Sequence, residues 1–218
     1  MTDFFEKSDI SRNDAEKIVS DTLKNTDDGE LYLENTKSEN IVLDDSKIKN
    51  SSYNSDVGYG LRAVTGEVIA YSHSNEISKN SLKNSSENLK STLKSKKGTY
   101  NHSIPKSNIK YYEDKNPLDD KSFSSKVKIL EEIDKYTRSK HPNIKQVTAN
   151  FLGEHKTVEI IRSGGEIISD IRPLVRFNVS VVVEKNGKKE TGVYGIGGRQ
   201  SYDDYLNNEN WKKVCDEA

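Results

Sequence analysis

The sequence predicts an α+β fold: antiparallel or mixed sheets with amphipathic helices packed on one face. Three observations carry that prediction. Between Val175 and Glu184 the apolar residues Val175, Phe177, Val179, Val181 and Val183 alternate with Arg176, Asn178, Ser180 and Glu184, Val182 being the one exception, which is the pattern of a strand with one buried face. Asn186-Gly187 then separates two such segments, the strongest short-range signal for a tight antiparallel hairpin. Elsewhere, as in Phe123, Val127, Leu130, Ile133 and Tyr136, apolar residues recur at helical spacing.

Ser11 is placed to cap a helix running to about residue 25, with Asp14 at the capping-box acid position and Ala15, Ile18, Val19 and Leu23 on one face. After Asp27-Asp28-Gly29 the pattern predicts strands near 30–36, 40–45 and 58–72, with Leu31 and Leu33 alternating against Tyr32. Lys47 to Val57 is too polar to be buried on both faces. Gly58, Gly60 and Gly66 fall among strand formers, where glycine marks a bulge, a twist or a close approach, so 58–72 reads as a twisted hairpin. Ser78 opens a second helix, whose thin stripe of Ile77, Leu82, Leu89 and Leu93 extends to about Lys94.

The stretch from Ser95 to Pro117 is polar, contains Gly98, Pro105 and Pro117, and lacks helical period; it reads as a linker that Tyr100, Tyr111 and Tyr112 pin to its own domain. A helix follows from Asp119 to about Arg138. Strands are then predicted at about 144–152, 156–162, 166–172, 174–184 and 188–196, broken by Gly153-Glu154, Ser163-Gly164-Gly165 and Asn186-Gly187. A last helix runs from Tyr202 to Ala218, with Tyr205, Trp211 and Val214 as its apolar points, and ends inside a periodic segment as a fragment would. The predicted organisation is an α+β subdomain over 1–94, a linker over 95–118, a helix plus antiparallel sheet over 119–200, and a helix over 201–218 leading into a further domain.

Composition bounds the function classes. A chain of 218 residues buries a real core, but with 32% hydrophobic and 32% charged residues that core is modest and its surface heavily solvated. A formal net charge of −1 removes the general pull toward phosphate backbones, and the tightest basic cluster, Lys94, Lys96 and Lys97, reads as a solvated helix end. The lone Cys215 excludes an internal disulfide and fits a reducing compartment. Met1-Thr2-Asp3-Phe4-Phe5-Glu6 lacks the order of a signal peptide and no apolar run approaches ~20 residues, so a cytoplasmic protein without membrane association is expected.

No catalytic residue is assigned. Cys215 has no neighbouring histidine, and serine is too abundant for any serine-histidine pairing to be informative. Gly195-Ile196-Gly197-Gly198-Arg199 lacks both the Walker lysine and the GxGxxG spacing of a nucleotide loop. Arginine usage is more telling. Lysine outnumbers arginine 27 to 7, yet Arg62, Arg162, Arg172, Arg176 and Arg199 all fall in or beside sheet segments. A planar guanidinium holds carboxylates or carbonyls bidentately where ammonium cannot. These arginines therefore either pair internally, for example Asp170 with Arg172 or Arg176, or line a peptide channel or subunit interface. The site candidates are Arg62, Arg172, Arg176 and Arg199, with Gly58 and Gly60 as open backbone.

Taken together, the run Gly58-Tyr59-Gly60-Leu61-Arg62-Ala63-Val64-Thr65-Gly66 through Ser72, the run Asp170-Ile171-Arg172-Pro173-Leu174-Val175-Arg176-Phe177 through Val183, and Gly195-Ile196-Gly197-Gly198-Arg199 resemble the amino-terminal half of the TldD/PmbA family. Leu31-Tyr32-Leu33, Leu43-Asp44-Asp45 and Ser52-Tyr53-Asn54 fall in the same order as in its TldD branch. The resemblance implies a TldD-like amino-terminal domain of a zinc-dependent cytoplasmic metalloprotease, acting on peptides and paired with a related TldE/PmbA-type subunit. It also implies that zinc is held outside this chain. A protease of that kind needs two histidines one helical turn apart with an adjacent glutamate, whereas His73, His102, His141 and His155 are widely separated. The expected function is thus substrate-peptide access and subunit contact in zinc-dependent proteolysis, with this chain inactive alone. The alternatives are a non-catalytic protein-interaction module and, last, a nucleic-acid-associated factor, prompted by the family's older name as a modulator of DNA gyrase.

Overall fold

The computed structural model describes residues 4–94, 98, 111–162 and 164–218. The sequence assignments to Lys96, Lys97, Tyr100, His102, Pro105 and Ser163 lie outside them. Among the described residues there are six strands, β1 (Asp28–Asp44), β2 (Lys47–Thr65), β3 (Val68–Ser74), β4 (Ile144–Arg162), β5 (Ile167–Lys185) and β6 (Lys188–Gly198), with helices α1 (Arg12–Leu23), α2 (Lys79–Thr92), α3 (Phe123–Lys140), α4 (Tyr202–Tyr205) and α5 (Asn208–Glu217). The strands form an antiparallel sheet in the order β3-β2-β1-β4-β5-β6. The chain divides into two compact units, 1–36 with 56–109 and 156–171, and 37–55 with 110–155 and 172–218, so the longest strands contribute residues to both.

In the first unit, α1 and α2 cover one face of the sheet. Ala15, Val19 and Leu23 of α1 and Leu82 and Leu89 of α2 bury against Leu31, Leu33, Leu61, Ala63 and Ala70. Serines at 11 and 78 begin these helices by accepting the amides of Asp14 and Ser81, as predicted. The helices meet through a hydroxyl pair, Thr22 Oγ1 to Ser86 Oγ at 2.6 Å. Arg12 grips the buried Glu159 with two guanidinium N–H groups at 2.5 and 3.0 Å, fixing the start of α1 on β4.

The second unit repeats the arrangement with larger side chains. Val175, Phe177, Val179 and Val181 of β5, Val147, Ala149 and Phe151 of β4, and Ile41 and Leu43 of β1 bury against Leu130, Ile133, Trp211 and Val214. Phe151 and Phe177 meet edge to face at 5.2 Å, and Tyr136 meets Trp211 at 5.3 Å.

Several boundaries differ from the sequence expectation. The predicted strands 30–36 and 40–45 are one strand, because the intervening Lys37-Ser38-Glu39 breaks the apolar pattern but not the backbone pairing. Likewise 144–152 and 156–162 form β4 without interruption. Gly153 marks a close approach there rather than an end, since a Cβ on it would overlap the Tyr202 hydroxyl and lie 2.8 Å from Leu118 Cδ2. The predicted 166–172 and 174–184 are joined through Pro173 into β5. The β1–β2 turn at Asp45-Ser46 uses two non-glycine residues at φ 49° and 64°, whereas the predicted Asn186-Gly187 turn has φ 53° and 77°. In α3 the buried stripe runs through Lys126, Leu130, Ile133 and Thr137, leaving Phe123 exposed. The final helix is two, broken at Leu206-Asn207, where Asn207 caps α5 by accepting the Asn210 amide.

Candidate functional site

Among the described residues β6 ends the strand order, so its outer edge has no strand partner. Its inner edge is tied to β5 in continuous register from Lys185 opposite Lys188 to Val175 opposite Gly198. Val193 and Tyr194 are exposed, at 65% and 38%. Glycines at 192, 195, 197 and 198 leave four of the eleven residues of this strand without a side chain. Asn178 occupies the space a Cβ on Gly195 would need, and it joins a polar row on the sheet: Asn178 Nδ2 donates to Asn150 Oδ1 at 3.2 Å, and Asn178 Oδ1 accepts from Arg176 Nε at 2.8 Å.

One residue beyond β6, Arg199 lies over the Tyr112 ring at 5.4 Å and donates to the Pro173 carbonyl at 3.4 Å. It borders a cavity of about 300 Å³ that Tyr111, Tyr112, Pro173, Gln200 and Ser201 also line. The charged residues beside it are engaged: Lys115 binds Glu113 at 2.7 Å, and Asp204 accepts the Ser201 amide at 3.0 Å. The Glu113 hydrogen bond, then its charge, raises the Lys115 pKa.

The arginines sort into two groups. Arg12 pairs with Glu159, Arg62 with Asp28 at 2.7 Å and Glu30 at 3.3 Å, Arg138 with Asp134 at 3.0 Å and Asp45 at 2.5 Å, and Arg162 with Asp28 at 3.3 Å. Arg176 and Arg199 have no carboxylate partner among the described residues, and Arg176 binds Asn178 rather than Asp170. Arg172 sits half-buried on β5. Gly58, Gly60 and Arg62 belong to the first unit, and Arg172, Arg176 and Arg199 to the second.

The open backbone at Gly58 and Gly60 is filled from within the fold. A Cβ on Gly60 would lie 2.6 Å from the Tyr71 hydroxyl, and one on Gly58 would lie 2.8 Å from the Ser74 carbonyl. The Tyr71 ring stacks on His73 at 5.7 Å between centroids, beside a shallow cavity of about 270 Å³. Gly60 and His73 are paired residues of β2 and β3, which confirms a hairpin over 58–72, turning at Gly66.

No group of three or more His, Cys, Asp or Glu among the described residues is arranged to hold a metal ion. His73 lies on β3, His141 at the end of α3 and His155 on β4. Burial, then the Lys37 charge, lowers the His155 pKa. These residues do not fit a zinc centre, and no step of metal-assisted hydrolysis is assigned to them. Cys215 is buried, and that burial pushes its thiol up to about 11, leaving it protonated and unreactive near neutral pH. No helix of the described residues is long and apolar enough to cross a membrane.

Sequence reasoning missed the Arg12–Glu159 clamp and the buried Lys126. Lys126 had a readable signal, since it stands four residues before Leu130 on the buried stripe of α3.

An antiparallel α+β sheet with helices on one face and an open glycine-rich edge defines the structural class. The chain matches the PmbA/TldA metallopeptidase domain 1 over residues 29–95 and the PmbA/TldA metallopeptidase central domain over residues 116–218, and it belongs to the TldD/PmbA family. It is 33% identical over 188 residues to the metalloprotease TldD homolog of Buchnera aphidicola subsp. Acyrthosiphon pisum, covering 86% of this chain and 39% of that protein. The chain thus spans about two fifths of the length of this curated relative. Its fold is similar to that of a candidate modulator of DNA gyrase from Bacteroides thetaiotaomicron, with TM-score 0.71, 12% identity, and coverage of 95% of this chain and 49% of the other. It is also similar to TldE from Thermococcus kodakarensis, with TM-score 0.65, 15% identity, and coverage of 92% and 45%.

Proposed function

We propose that this chain supplies the peptide-access and subunit-contact part of a TldD-type zinc metalloprotease of the cytoplasm. The observation that carries this reading is the open edge of β6, whose outward backbone groups have no strand partner among the described residues and four of whose eleven residues are glycine. An extended peptide adds to such an edge through main-chain hydrogen bonds, which tolerate varied side chains. Family membership supports a proteolytic setting and a TldE-type partner, with zinc held by residues outside this chain. Arg172, Arg176 and Arg199 are its peptide contacts, whereas Gly58 and Gly60, closed off by Ser74 and Tyr71, and Arg62, paired with Asp28 and Glu30, shape the first unit.

The purified chain is expected to bind an extended peptide but to leave a fluorogenic peptide uncleaved when zinc is added. Cleavage that survives purification and is removed by a chelator would contradict this division of labour. Failure to bind any extended peptide would remove the access role itself.

A further inference from the structure

Arg176 and Arg199, without a carboxylate partner among the described residues, stand near the same end of β6, Arg176 on the neighbouring strand β5. Arg176 is opposite Gly197 in the β5–β6 register, and Arg199 follows Gly197 by two residues. Two residues of extended chain rise about 7 Å, the spacing of side chains at i and i+2 of an added strand, and Arg199 itself lies one residue past the end of β6. Four of the other arginines find acidic partners within the chain. Arg199 is held by a ring face and a long bond to a carbonyl, so most of its N–H donors remain unspent. Its neighbours Glu113 and Asp204 are turned to Lys115 and to the Ser201 amide.

We propose that the β6 edge selects acidic peptide segments, extended stretches carrying two carboxylate side chains at positions i and i+2, one received by Arg199 and the other by Arg176. This deepens the peptide-access reading and rests on it. Main-chain pairing to β6 sets the register, and the two guanidinium groups read the charges. Stacking on Tyr112 orients Arg199 before the ligand arrives, which reduces what binding must order.

The test uses the whole chain and fluorescent extended peptides carrying Glu at i and i+2, or Gln at both, each with an amidated carboxy terminus. The Glu peptide is expected to bind about five- to tenfold more tightly, a range set by partly exposed arginine–carboxylate pairs. Arg199→Gln should erase most of that preference, weakening the Glu peptide far more than the Gln peptide, Arg199→Lys should retain part of it, and Arg176→Gln should remove a smaller share. Lys188→Gln, at the opposite end of β6, should have no effect. Equal affinity for the two peptides would overturn the acidic preference and leave strand addition standing. Binding of neither peptide would overturn strand addition as well. An equal loss with Lys188→Gln would reduce the effect to general attraction, and a preference appearing only with a free carboxy terminus would assign the arginines to the chain end; either result overturns the proposal.

Discussion

Replacing Glu39 by alanine is expected to destabilise the chain by about 3–5 kcal/mol, because it leaves a buried ammonium without its counter-charge. Lys126 is 1% exposed, and its Nζ donates to Glu39 Oε1 at 2.5 Å and to the Leu118 carbonyl at 2.9 Å, 4.8 Å from the centre of the Tyr202 ring. The carbonyl and the ring stabilise the cation but do not neutralise it. Adding Lys126→Met should recover most of the loss, since the replacement fills the stem's space without a buried charge. Denaturant unfolding of the two variants and the parent checks both statements. A loss below about 1 kcal/mol for Glu39→Ala would mean that water reaches the ammonium and the pair is a surface interaction.

Phe177→Ala is expected to cost a similar amount, about 3–5 kcal/mol, through lost burial and the cavity left behind. Phe177 is 1% exposed, in the middle of the apolar face of β5, and packs edge to face on Phe151. Val193, 65% exposed on the neighbouring strand, provides the contrast, and Val193→Ala should change stability by no more than about 0.5 kcal/mol. Denaturation midpoints at constant slope separate the two. Comparable losses would show that the two faces of the sheet are not partitioned between core and surface as described.

The arrangement of helices and strands was legible because period and punctuation agreed in most places. Val175 through Val183 announced its buried face, Asn186-Gly187 its hairpin, and Ser11 and Ser78 their helices. What misled was the assumption that a polar run or an internal glycine ends a strand. Lys37 to Glu39 and Gly153 stay within strands because pairing is made by backbone groups, and glycine also serves where another group approaches closely. Asp45-Ser46 hid a turn because neither residue is the glycine that positive φ usually recruits.

The candidate site was legible as residue types but not as partnerships. Sequence could set Arg62, Arg172, Arg176 and Arg199 apart from the lysine background, yet pairing depends on which acids the register brings opposite. Arg62 meets Asp28 and Glu30 across 34 and 32 residues, whereas Arg176 meets an asparagine two residues away. The cavity beside Arg199 depends on Tyr112 returning to the end of β6, a contact no local pattern encodes.

Strand addition at β6 is tested by backbone hydrogen exchange in the presence of an extended acidic peptide. Added protection is expected to concentrate in the amides of residues 191–199, with the already buried strands of both units unchanged. Tight binding without added protection there, or protection centred on β3 instead, would contradict it.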